Sequence, residues 1–160
     1  MAIKIPPPLL FMFLIFILSC KTEKPLTSVA GYYNNETECL ETRYDGSLTL
    51  MAWGKGKNEH EAIAQAKKNA IRDIIFKGIT KGKQNCNIKP LVMDVQAKEK
   101  YENYWNSFFS NNGPYIQFAT LQKGPTNKKF NAGDEVTYGV MLRVYRQNLK
   151  NRLIRDNILK

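Results

Sequence analysis

Between residues 48 and 79 the hydrophobic period changes once, and that change constrains the fold more than any other feature of the chain. Leu48, Leu50 and Ala52 alternate with Thr49, Met51 and Trp53, which is the two-residue period of a strand. Gly54-Lys55-Gly56-Lys57 then breaks the run. Asn58, with Glu61 three residues on, makes a capping box at the start of a helix. From there Ile63, Ala66, Ala70, Ile71, Ile74 and Ile75 recur at helical spacing as far as Ile79. Gly78 and Gly82 mark the end. Ala62, Ala66 and Ala70 form a stripe of small side chains suited to close packing on a sheet.

The remaining chain supplies partners for this unit. Glu38–Tyr44 reads as a second strand or an extended lead-in, joined to the first through an Asp45-Gly46 turn. Ala97–Phe109 reads as a second helix, with Tyr101, Tyr104, Trp105, Phe108 and Phe109 on adjacent faces. Asn111-Asn112-Gly113-Pro114 ends it. Tyr115–Leu121 is expected as a strand, Gly124–Asp134 as a loop, and Glu135–Tyr145 as another strand. Gln147–Leu159 is expected as a terminal helix with Leu149, Leu153, Ile154 and Ile158 facing inward. The order strand, helix, helix, strand, strand, helix predicts an α+β fold. It calls for one small, mostly antiparallel sheet packed by two to three helices. With 160 residues and 43% hydrophobic content, the chain has enough material for one such domain.

The first twenty residues are of another kind. Lys4 is the single charge before Leu9–Leu18 (LLFMFLIFIL), an unbroken run of ten apolar residues, and Ser19-Cys20 follow. Spanning a bilayer as a helix takes about 20 apolar residues. Ten cover only about 15 Å, and Lys21 and Glu23 follow at once. A plain secretory peptide more often ends in an Ala-x-Ala-like site. Ile17-Leu18-Ser19-Cys20 resembles a lipobox, so the N-terminus resembles a bacterial lipoprotein signal peptide. The resemblance implies that residues 1–19 are removed and that Cys20 carries diacylglycerol on its thiol. A further fatty-acyl chain, such as palmitate, would follow on the new amine. It implies a lipid-anchored envelope protein. Lys21 after the cysteine points to the outer membrane, facing the periplasm. Residues 20–36 then form the lipidated cysteine and a polar tether, and 37–160 a single domain.

The strand ending in Gly-x-Gly, followed by the Glu61-Ala62 helix with its alanine stripe, resembles a second family over Leu48–Ile79. This is the N-terminal domain of the flagellar assembly protein T and the small envelope lipoproteins related to it. That resemblance implies an envelope scaffold or assembly role.

With Cys20 committed to lipid, Cys39 and Cys86 remain. If the strand runs out and the helix runs back, about 30 Å of strand and about 33 Å of helix bring both to the same end of the domain. In an oxidising compartment they are expected to pair. The alternative is two buried thiols.

Chemistry is harder to find. His60 is the single histidine, and His60-Glu61 lacks the second histidine of a zinc-protease motif. It starts the helix, more than about 20 Å from the cysteines expected at the far end. No Gly-x-Ser-x-Gly elbow is present. No cofactor is indicated. Gly54–Asn58 could cradle an anion at a helix start, but it also reads as a tight strand–helix turn. Seven aromatics between Tyr101 and Phe118 could form a glycan platform or a core.

The formal net charge is +10, and removing Lys4 with the leader leaves about +9. This favours acidic partners, and export argues against nucleic acid. Arg143, Arg146, Lys150, Arg152 and Arg155 make the last strand and helix basic, a candidate partner surface. The sequence therefore reads as a non-catalytic interaction or scaffold module. A glycan- or anion-binding module is the alternative. A carboxylate-dependent hydrolase would need two acids converging in a cleft.

Overall fold

A computed structural model describes residues 36–84, 86–124 and 128–160, with backbone alone at 128–132. The expected signal peptide, Cys20 and the expected tether as far as residue 35 lie outside the described residues. The fold is α+β. Five antiparallel strands form one sheet: β1 (Glu38–Thr42), β2 (Leu48–Gly56), β3 (Ala119–Leu121), β4 (Lys128–Ala132) and β5 (Glu135–Val144). The order is β1-β2-β5-β3, and β4 also pairs with β5. β3 lies along Leu142–Val144 and β4 along Glu135–Gly139, so the two share one flank of β5 end to end.

The switch in period behaves as expected. β2 pairs with β5 in a register that sets Leu48 opposite Val144, Leu50 opposite Leu142 and Ala52 opposite Val140. All six side chains are buried. Helix α1 (Glu59–Arg72) packs across β2 and β5. Its start is capped by Asn58, whose Oδ1 accepts the Glu61 N–H at 3.0 Å. Glu61 reaches back in turn to accept the Lys57 N–H at 3.0 Å. Asn58→Ala removes one half of this box. It is expected to lower stability by about 1 kcal/mol, readable as a shift in urea midpoint at constant slope.

The alanine stripe lies flat on the sheet because the strand beneath it is glycine. A Cβ on Gly54 would come within 2.0 Å of the Ala62 carbonyl oxygen and 2.3 Å of the Ala66 nitrogen. A Cβ on Gly56 would meet the Ala62 nitrogen at 2.6 Å. The Gly-x-Gly pair therefore exists for close helix–sheet approach, and Ala62, Ala66 and Ala70 are fully buried.

α1 ends in a π turn, Asp73–Lys77, closed by the Gly78 N–H on the Asp73 carbonyl at 2.7 Å. Gly78 has φ +79°, so the sequence's stop signal falls in the left-handed region. The chain then returns along β1, where Cys39 N–H donates to the Lys81 carbonyl and Lys83 N–H to the Cys39 carbonyl. That return brings Cys86 to Cys39.

Four expectations are corrected. The helix over 97–109 is two short pieces, α2 (Ala97–Lys100) and α3 (Glu102–Phe108), with Tyr101 out of helical geometry between them. The strand expected over Tyr115–Leu121 begins as a 3-10 turn, Pro114–Phe118, and only Ala119–Leu121 is β. The turn lets Tyr115 and Phe118 both point into the core. The loop expected over Gly124–Asp134 contains β4, which forms a hairpin with β5 through Gly133 at φ +63°. The terminal helix α4 spans Arg146–Arg155 and buries Leu149 and Leu153, while Ile154 is 43% exposed. Asn157, at φ +57°, stops it short of the expected Leu159.

The buried core cluster of the described residues runs from Cys39 to Leu153.

Candidate functional site

Cys39 and Cys86 sit at disulfide distance, with Cα atoms 5.6 Å apart, and both are buried. This matches the expected pairing. His60 lies exposed in the first turn of α1, and Cys39 and Cys86 lie beyond its other end. The helix alone separates them by about 20 Å. Among the described residues, no group of three or more His, Cys, Asp or Glu side chains is placed to hold a metal ion.

The aromatic segment is core. Trp105, Phe108, Phe109, Tyr115 and Phe118 are buried, and Tyr101 and Tyr104 pack against them. Trp105 stands edge-on to Phe76 at 4.8 Å between centroids, and Phe108 stacks with Phe118 at 6.1 Å. The Trp105 indole N–H donates to the Ala97 carbonyl at 2.9 Å, which fixes α3 on α2. Burial of these faces removes the glycan platform that a run of exposed rings would have made. Gly54–Asn58 likewise lacks the character of an anion cradle, because the Glu61 carboxylate already occupies the amide at Lys57.

The five basic residues near the C-terminus do not form one surface. Arg143 is bound to Asp45, and its Nε donates to the Ser47 hydroxyl at 3.0 Å. Hydrogen bonds from Ser47, with Arg143 nearby, hold the Asp45 carboxyl down at about 2. Arg146 turns inward to the Lys89 carbonyl at 3.1 Å, and burial lowers its pKa. Arg152 pairs with Asp156 at 2.7 Å, and Asp156 also accepts the Tyr104 hydroxyl at 2.7 Å. Burial and then the Asp156 carboxylate push the Tyr104 hydroxyl's pKa up. Burial opposes ionisation of Asp156, yet the bonds from Tyr104 and Arg152 outweigh it and leave its pKa lowered. Arg143, Arg146 and Arg152 thus hold turns and helix ends together. Lys150 and Arg155 remain exposed, four and nine residues along α4 from Arg146, on different sides of the helix.

A different surface gathers cations instead. An open cleft of about 850 Å³ lies between the outer side of α1, the turn at Asn111–Asn112 and β3. Lys67, Lys68, His60 and Glu61 line it from α1, with Ile63 beside them. Ile116 and Leu121 face it from the other wall and are 36% and 42% exposed. The Lys68 ammonium stands 5.6 Å over the Tyr115 ring. Lys55, at one end, is paired with Glu135. Lysines on one wall and exposed apolar side chains on the other can hold an acidic chain that also carries apolar groups, and β3 is the edge strand beside it. The signal for this cleft was split in the sequence between α1 and residues 111–121, which no local pattern connects. Compared with known protein families, curated proteins and solved structures, the chain matches none.

Proposed function

We propose that this chain is a cell-envelope lipoprotein, held by lipid on Cys20 at the periplasmic face of the outer membrane. Its domain acts as a non-catalytic interaction module. The observation that carries the interaction role is the cleft beside α1, where Lys67 and Lys68 share the lining with Ile63, Ile116 and Leu121, and Glu61 is the one acid. An acidic, partly apolar segment of an envelope protein fits that chemistry, with charge giving attraction and the apolar side chains giving affinity. The anchor is supported by the apolar run Leu9–Leu18 ending at Ser19-Cys20. The strand–helix unit Leu48–Ile79, with its resemblance to the flagellar assembly protein T domain, supports a scaffold role. A polyanionic glycan is the second reading, favoured by the same lysines.

Cross-linking in cells followed by purification separates these readings. Recovery of one reproducible protein, reduced at least about tenfold by Lys67→Glu with Lys68→Glu, is the expected result. Glycan retained with no protein would move the assignment to the second reading. Recovery unchanged by the charge reversal would remove the cleft from the interaction. The anchor has its own measurement: Cys20→Ser should abolish fatty-acid labelling and accumulate uncleaved precursor, and normal labelling of that variant would end the lipoprotein assignment.

A further inference from the structure

We propose that the loop Lys89–Val95 is a membrane-contact element, laying Met93 and Val95 into the headgroup region of an anionic bilayer. The proposal rests on the lipoprotein reading for the identity of the surface, since it takes the membrane to be the one that holds Cys20.

Three observations on one end of the domain carry it. Met93 is 72% exposed and Val95 92% exposed, unusual for large apolar side chains two residues apart. They are not on a loose segment. Between Pro90 and Met93 the loop is fixed to the π turn, with Leu91 N–H on the Ile74 carbonyl at 3.0 Å and Val92 N–H on the Ile75 carbonyl at 2.8 Å. Val92 is buried, so the fold anchors one side chain and thereby holds its neighbours outward.

The second observation is where the chain enters. Glu36 pairs with Lys77 at 3.4 Å, and the Thr37 hydroxyl donates to Asp73. Both partners belong to the same π turn that carries the loop. The 16 residues from Cys20 to Glu36 have a contour length of at most about 55 Å. Lipid on Cys20 would therefore keep Glu36, and the π turn it pairs with, within that length of the bilayer.

The third observation is charge. Lys89, at the start of the loop, and Lys98, which lines the same groove, are exposed, with Lys98 Nζ held 4.9 Å over the Phe76 ring. Asp94, whose Oδ1 accepts the Gln96 N–H at 2.9 Å, is the one acid among the residues lining this groove; on the adjoining π turn Glu36 pairs with Lys77 and Asp73 accepts the Thr37 hydroxyl, and Glu102 stands across from Lys98. Lysine stems lie along apolar surface while their heads stay in water, which suits the headgroup layer.

The test uses a chain beginning at Lys21, which keeps every described residue and lacks Cys20. It is sedimented with vesicles of equimolar phosphatidylglycerol and phosphatidylcholine at low salt. Binding is expected, and Met93→Ser with Val95→Ser is expected to weaken it about tenfold. Tyr44→Ser should leave it unchanged: Tyr44 is equally exposed but lies in the β1–β2 turn, beyond the far end of β1 from Glu38. Pure phosphatidylcholine should bind less. No vesicle binding, or equal binding by the double variant with unaltered melting temperature, would overturn the proposal. Fatty-acid labelling is read separately at Cys20, so loss of the anchor assignment and loss of this contact give different results.

Discussion

Reduction of the Cys39–Cys86 pair is expected to lower the melting temperature of the domain by roughly 15 °C. The cysteines are 47 residues apart, so the bond closes β1, β2, α1 and the π turn into one loop. In the chain-entropy account, freeing a loop of that length returns about 4 kcal/mol of conformational freedom to the unfolded chain. The native state offers little compensation. Cys39 and Cys86 are buried, and β1 is bridged on one side by residues 81–83 and on the other by β2. Cys39→Ala with Cys86→Ala should reproduce the reduced protein's melting temperature, and reductant should then have no further effect. A reduced wild-type domain that melts where the oxidised one does would show that the crosslink contributes nothing to stability.

Gly54→Ala is expected to destabilise the domain by about 3 kcal/mol or more. One methyl group would be placed against the Ala62 carbonyl oxygen, the Ala66 nitrogen and the Ala66 Cα, all backbone atoms of α1. No rotamer change can relieve that contact, so the helix must lift from β2. Lifting it uncovers Ala62, Ala66 and Ala70 together with the β2 and β5 residues beneath them. Gly46→Ala supplies the comparison. Gly46 has φ +75°, but nothing lies within 4 Å of its added Cβ. Its cost is backbone strain alone, about 1–2 kcal/mol. Chemical denaturation of both variants separates the two causes. Equal losses would mean that close approach at Gly54 is not what the glycine serves.

The candidate surfaces were less legible than the fold. The basic run near the C-terminus is plain in the sequence, yet its arginines are committed to partners far along the chain. Asp45 lies 98 residues from Arg143, and the Lys89 carbonyl 57 residues from Arg146. Local spacing carries no information about such pairs. The exposed Met93 and Val95 are equally opaque, because a Val-Met-Asp-Val segment reads the same whether its apolar groups are in or out. Only the anchoring of Val92 beside Ile75 decides which way they face.

By itself the sequence determined the central unit. Alternation at Leu48–Ala52, the Asn58–Glu61 box and the Ala62, Ala66, Ala70 stripe fix a strand followed by a returning helix. The strand's and helix's opposed directions place Cys39 beside Cys86. These are effects within a few residues, set by backbone period, capping and side-chain size. Tertiary structure alone decided the rest. It makes Lys128–Ala132 a strand, because its pairing groups belong to β5 and its own five residues carry no clear period. It bends residues 114–118 into a 3-10 turn, because Tyr115 and Phe118 gain more from burial in the aromatic core than an extended chain would allow. It joins α1 to the 111–121 segment in one cationic cleft. Each of those outcomes depends on energy shared between residues distant in sequence, where periodicity has no reach.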